Sequence, residues 1–250
     1  MFAPEERDRI QERILEMARA DPRIVAAAVI GAAALGRGDR WSDLDLGFGV
    51  GEDATPADLL ADWTPRLERE FDATHLFDLT VGSTIYRVFL FPGALQVDLS
   101  FAPASEFGSR GPKFRLLSGR AVEHPPVEPP SARHLFGLGV HHAVRARFCI
   151  ERGRPWQAQH WISELREIGL LLACRRRGLE MRQGRGYDEL SPDVLKPFEA
   201  SLVRAVDRAE LLRALRSAID NLLSHAGEAH ETAAQVRHQL LTLVSDNFAR

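Results

Sequence analysis

Two carboxylates one residue apart carry the first chemical signal in this chain. Asp43 and Asp45 stand in Ser42-Asp43-Leu44-Asp45-Leu46. Side chains at i and i+2 of a strand share a face, so both acids converge while Leu44 and Leu46 turn to a core. Paired oxygen ligands of this kind suit Mg²⁺, which favours carboxylates plus substrate phosphates. A third acid follows the same logic. In Leu95-Gln96-Val97-Asp98-Leu99-Ser100-Phe101, the apolar residues alternate with Gln96, Asp98 and Ser100 on the other face. If that strand neighbours the first, three carboxylates meet. Such a cluster can hold two Mg²⁺ ions ~3.5–4 Å apart for in-line phosphoryl or nucleotidyl transfer. Asp78, in His75-Leu76-Phe77-Asp78-Leu79, is a rival third acid, but the alternation around Asp98 is cleaner.

These acids need elements to position them. Residues 5–20 carry Ile10, Ile14, Leu15 and Met17 at helical spacing, ended by Asp21-Pro22. Ile24 to Ile30 is a continuous apolar run and reads as a buried strand stopped by Gly31. A small-residue loop over 31–42, with Gly31, Gly36 and Gly38, lets backbone approach an anion closely. The strand 43–50 follows, then a helix over 56–71 with Leu59, Leu60, Trp63, Leu67 and Phe71 on one face. Strands over 74–81, 84–91 and 94–101 are separated by Gly82-Ser83 and Pro92-Gly93, which predicts antiparallel hairpins. Phe114 to Val122 reads as an added edge strand.

Four prolines in residues 123–130 mark a stiff linker. Beyond it the patterns are helical, over about 131–152, 156–177, 191–206, 208–226 and 229–247. The expected fold class is therefore α/β (α+β). It has a mixed-sheet domain over 1–124 and an all-α helical bundle over 131–250 that closes one side of a cleft and binds the acceptor.

Gly31, Gly36, Ser42, Asp43, Asp45 and Leu46 stand in register with a motif, with Asp98 as the third acid. On these residues the segment resembles the signature of the nucleotidyltransferase superfamily of DNA polymerase β, particularly its small bacterial members. The resemblance covers about residues 24–101. The helical second half is similar in layout to aminoglycoside and lincosamide nucleotidyltransferases. The resemblance implies Mg²⁺-dependent transfer of a nucleoside monophosphate, AMP from ATP, onto a hydroxyl of a small molecule. It implies that Asp43, Asp45 and Asp98 hold the metal and catalyse, and that Gly31, Ala32 and Ser42 meet the nucleotide phosphates. One departure stands out. Ala32 occupies the place of a family Ser, and losing that hydroxyl's bond would weaken nucleotide binding by ~1–3 kcal/mol. Two alternatives follow: AMP transfer to a protein side chain, and a non-catalytic nucleotide-binding or interaction module.

Composition bounds the partners. The chain has 250 residues, 45% apolar and 27% charged, which is ordinary for a globular protein. Its net charge of −3 argues against a general nucleic-acid binder. Residues 1–124 carry 14 basic and 20 acidic groups, so an acidic cleft would suit an aminoglycoside-like polycation. Of the 32 basic residues only Lys113 and Lys196 are lysine, a bias that genome composition explains as well as phosphate recognition does. Cys149 and Cys174 lack metal-ligand spacing and read as buried apolar residues in a reducing compartment. No apolar run approaches the ~18 residues that span a bilayer. Met1-Phe2-Ala3-Pro4-Glu5-Glu6 lacks a signal-peptide core, so a cytoplasmic protein is expected. The last helix, with Val236, Leu240, Leu241, Leu243 and Val244, fits packing within the bundle or against a second subunit of a homodimer.

The helical half offers weaker candidates. His160, Glu164 and Glu167 share a helix face and read first as a solvated, salt-bridged stripe. His141-His142 reads as packed or solvated histidine. Arg175-Arg176-Arg177 sits where positive charge complements a helix C-terminus. The turn Gly184-Arg185-Gly186-Tyr187 reads equally as a helix connection or a substrate-facing loop.

Overall fold

Pro4 opens α1 (Pro4–Ala20) at the position where its missing N–H costs nothing, with Glu5 and Glu6 in the first turn. The structure, a computed structural model, describes residues 1–109, 111–125 and 127–245. By internal contacts the chain divides into two units, Met1–Val127 and Glu128–Arg250.

In the first unit, β1 (Ile24–Ile30) leads through the short helix α2 (Gly31–Ala34) to β2 (Leu44–Val50). Helix α3 (Pro56–Phe71) follows, then β3 (Thr74–Val81), β4 (Thr84–Phe91) and β5 (Leu95–Pro103). A reciprocal cap starts α3: Thr55 Oγ1 accepts from Asp58 N at 3.2 Å, and Asp58 Oδ2 accepts from Thr55 N at 2.9 Å. After β5 come β6 (Gly108–Ser109), β7 (Phe114–Ser118) and β8 (Val122–Glu123). The main sheet has six strands in the order β3-β4-β5-β2-β1-β7. It is mixed: β2 and β5 run parallel, and the other neighbours are antiparallel. The Phe114–Val122 expectation shortens to Phe114–Ser118.

The two sheet faces differ. Leu44, Leu46, Phe48, Leu99 and Phe101 are buried on one face, with residues of α1 and α3 in the same core. Phe48, Trp63 and Phe101 form its aromatic centre, with ring centroids 5.2–5.4 Å apart. Trp63 Nε1 donates to Asp21 Oδ2 at 3.0 Å, and Arg23 Nη2 donates to the same oxygen at 2.8 Å. On the other face a smaller cluster of Ala26, Ala28, Ala102 and Phe107 covers part of the sheet. The acids lie on this second face.

The second unit is helical, with α4 (Ala132–Glu151), α5 (Pro155–Arg175), α6 (Pro192–Glu199), α7 (Arg208–Ser224) and α8 (His230–Thr242). Helix α5 packs against α4 and α7 over a core that includes Phe136, Ile162, Leu165, Leu215 and Ile219. The helix expected over 191–206 ends early. Ser201 Oγ bonds Phe198 O at 2.6 Å, and Asp207 is the extended N-cap of α7, accepting from Glu210 N at 3.0 Å. An N-cap residue is not helical, so the chain leaves the helix before it. Residues 246 and 247 of the expected last helix lie outside the described residues. Among the described residues, no helix is long and apolar enough to cross a membrane.

Candidate active site

The parallel pairing of β2 and β5 sets the site. In that register Leu44 lies opposite Val97, Asp45 opposite Asp98, and Leu46 opposite Leu99. Directly paired residues point to the same face, so Asp45 and Asp98 stand side by side. Asp43 sits one residue before β2, at the end of the loop. Asp43, Asp45 and Asp98 each offer an oxygen within 4.8 Å of the others. Asp43 is exposed and the other two are half-buried. Two carboxylates about 4 Å apart repel by about 4 kcal/mol at an effective dielectric of about 20. The trio therefore favours either a bound cation or a retained proton.

Asp98 shows that tension. Burial pushes its carboxyl above the usual carboxylate value, the Gln96 amide pulls it back, and the charge of Asp43 pushes it up again. Gln96 Nε2 donates to Asp98 Oδ1 at 3.0 Å. Three carboxylates on two adjacent strand ends form a hard-oxygen donor set. This is the chemistry Mg²⁺ takes, with its remaining positions left for water and phosphate oxygens.

Asp78 lies on the other face. It pairs across strands with Arg87, and Arg87 Nη1 also donates to Thr64 Oγ1 of α3 at 2.7 Å. Arg87 holds the Asp78 carboxyl below its usual value. Its neighbour Val88 pairs with Asp98, and adjacent strand residues point oppositely. Asp78 is thus spent on the helix-covered side.

Gly31 permits the close approach of α2 to the acids. Its φ is +72°, and a Cβ there would overlap Asp45 Oδ2. Its N–H is already used, donating to Lys113 O at 3.1 Å. The loop before Asp43 is braced from within. Ser42 Oγ accepts from Asp39 N at 2.9 Å and donates to Asp39 Oδ1 at 3.0 Å. Trp41 N donates to Asp39 Oδ1 at 2.8 Å, and Arg7 Nη1 donates to Asp39 O at 2.6 Å. The Trp41 N–H chiefly, with the Ser42 hydroxyl, holds the Asp39 carboxyl below its usual value. Ser42 therefore sets the loop that delivers Asp43, and its hydroxyl is already engaged.

Sequence reasoning passed over Trp41, Phe2 and Ala94. With Asp43 and Gln96 they line a pocket of about 250 Å³ beside the acids. The available signal was one indole in a loop of Gly, Arg and Asp. In the second unit, His141 and His142 pack against Trp161, with ring centroids 5.9 and 5.2 Å away. Among the described residues, His142 Nδ1 and Trp161 Nε1 are buried without a hydrogen-bond partner, and burial lowers the His142 pKa. The arginine run serves local ends: Arg175 pairs with Glu228 at 3.4 Å, Arg176 donates to Ser224 O, and Arg177 donates to Ala173 O. Tyr187 packs beside Leu190 and Phe198.

No protein-family model matches the sequence. No curated protein matches it either. Among solved structures, the chain is similar to an aminoglycoside 6-adenyltransferase from Bacillus subtilis, at 15% identity and a TM-score of 0.40. The likeness covers 97% of this chain and 99% of that one. A likeness this distant carries nothing about substrate or reaction.

Proposed function

We propose that the protein is a Mg²⁺-dependent nucleotidyltransferase that moves a nucleoside monophosphate, AMP from ATP, onto a hydroxyl of a small molecule. One observation carries the reading: oxygens of Asp43, Asp45 and Asp98 converge within 4.8 Å beside the glycine turn that ends β1. In this reading the three acids would hold the divalent cation. Bound there, the cation would offset triphosphate charge and lower the pKa of the attacking hydroxyl. Residues 1–124 perform the transfer and residues 131–250 recognise the acceptor. The acceptor oxygen forms a bond to the α-phosphorus while the bond to pyrophosphate breaks. The hydroxyl proton passes to the Asp98 carboxylate, which Gln96 holds in place by its hydrogen bond. The acceptor reading as an amine-bearing, aminoglycoside-like compound rests on the acidic excess of residues 1–124.

The test is calorimetry of ATP with and without Mg²⁺, on the wild type and on Asp43→Asn/Asp45→Asn. The reading expects Mg²⁺-dependent binding that the double variant loses. A panel of aminoglycosides and lincosamides with labelled ATP then checks the acceptor, and a panel that takes up no label removes that acceptor class.

A second reading is favoured by the glycine turn. Ala32 offers no hydroxyl, and the Gly31 N–H is committed to Lys113 O. A phosphate cradle with two fewer donors fits a nucleotide-binding or interaction module without turnover. That reading expects no labelled product with any acceptor, and little functional loss in the Asp43→Asn/Asp45→Asn variant.

A further inference from the structure

Trp41 is 63% exposed. A single exposed apolar side chain is ordinary on a protein surface. Three observations set this one apart. Its loop is braced by hydrogen bonds, because Asp39 ties together the backbone of Trp41, the hydroxyl of Ser42 and the guanidinium of Arg7. The indole is already stacked on one side, with the Arg40 guanidinium carbon 4.4 Å from its ring centre. A pocket of about 250 Å³ opens at the indole, walled by Phe2, Asp43, Ala94 and Gln96. Phe2 is a fixed wall, being 8% exposed and pinned by its N–H to Gly93 O at 2.9 Å.

The pocket shares Asp43 with the acid cluster but opens on the side away from the glycine turn. Strand order runs β5-β2-β1. Gly31 and α2 press on Asp45 from the β1 flank. Ala94 and Gln96 lie at the start of β5, on the opposite flank. A triphosphate on the first flank leaves the second for the acceptor.

We propose that the Trp41 pocket is a subsite for one saturated ring of the acceptor, bearing hydroxyl or amino groups. The assignment rests on the nucleotidyl-transfer reading for the identity of the acceptor, but the ring site itself does not need it. The indole face takes the C–H face of the ring, the Gln96 amide oxygen, its Nε2 being held by Asp98, accepts from a hydroxyl, and the acidic surroundings favour an amino-bearing ring. The pocket is smaller than the ~300–1,000 Å³ of sites that take whole drug-sized ligands, so it fits one ring with its substituents. A free anion is disfavoured by the neighbouring carboxylates.

The experiment is saturation-transfer NMR from the full-length protein to glucosamine and, separately, to adenosine. Wild type, Trp41→Ala and Trp41→Phe are compared, and thermal melts confirm that both variants fold. Transfer to the glucosamine ring protons is expected in the wild type and, mostly retained, in Trp41→Phe. In Trp41→Ala binding should weaken about tenfold, the loss expected for one aromatic contact. Equal transfer in Trp41→Ala, or none in the wild type, overturns the proposal. Trp41-dependent transfer to adenosine alone overturns it too, and reassigns the pocket to a nucleotide base. Mg²⁺–ATP calorimetry on the wild type separates the two levels. Ring binding without ATP binding removes the nucleotidyl-transfer reading and leaves the ring site; ATP binding without ring binding does the reverse.

Discussion

Replacing Gly31 by Ala tests the coupling between backbone and acids most directly. Gly31 holds φ at +72°, and a Cβ would overlap Asp45 Oδ2. Two costs add. An L-residue in the left-handed region costs about 1–2 kcal/mol. Pushing the Asp45 side chain off its rotamer costs about 0.5–1.5 kcal/mol more. The expected loss of stability is therefore about 2–3 kcal/mol, read by chemical denaturation. Gly36→Ala is the control. Its φ is +67°, but among the described residues nothing lies within 4 Å of the added carbon. It should lose only the backbone cost, about 1–2 kcal/mol. The two variants should also part in function. Displacing Asp45 should weaken Mg²⁺–ATP binding by at least about tenfold, as for a disturbed ligand shell. Gly36→Ala should bind as the wild type does. Equal stability losses in the two variants would refute the steric argument. A Gly31→Ala protein with wild-type Mg²⁺–ATP affinity would detach Asp45 from the site.

Further outcomes follow from the same geometry. Asp98→Asn should stabilise the metal-free protein at neutral pH, since burial raises the Asp98 pKa and ionisation there opposes folding. The gain should be absent below about pH 3.8, grow as pH rises from there to the raised folded value and stay level above it, checked by melts across that range. Asp21→Asn should do the opposite. Arg23 chiefly, with Trp63, lowers the Asp21 pKa to about 2 against the opposing effect of burial. That preference is worth about 2 kcal/mol, present above about pH 4 and lost as pH falls through about 2, so urea midpoints should fall at pH 7 and converge in acid. Ala32→Ser should tighten Mg²⁺–ATP by about fivefold, the worth of one added hydrogen bond, measured by calorimetry; unchanged affinity would place the phosphates away from residue 32.

Much of the element order is legible in the chain. The apolar run over Ile24–Ile30 and the amphipathic face of Pro56–Phe71 form the elements their spacing predicts. Both signals are local, because each residue's face is set by its neighbours through a period of 2 or 3.6. The same locality puts Leu44 and Leu46 on a buried face and Asp45 on the other. Local pattern fails where a distant group decides. Residues 202–206 carry enough apolar side chains for a helix, yet Arg204 N donates to Glu210 Oε1 at 3.0 Å and Asp207 must be extended to cap α7. Pairing β2 with β5 is likewise beyond local reading. More than fifty residues separate Asp45 from Asp98, and only the parallel register sets them opposite each other.

The sequence by itself determined which side chains alternate, where most of the longer strands and helices begin, and that Asp45 and Asp98 each stand on the non-core face of a strand; the short helix Gly31–Ala34 inside the expected loop it did not show. Tertiary structure alone decided that Asp43, Asp45 and Asp98 meet, that Asp78 turns to Arg87 instead, and that Trp41 overhangs a pocket beside them. The reason is physical. Alternation is a property of the backbone within a few residues. Strand order and register follow from burying the shared core of α1, α3 and the sheet, which no short segment contains.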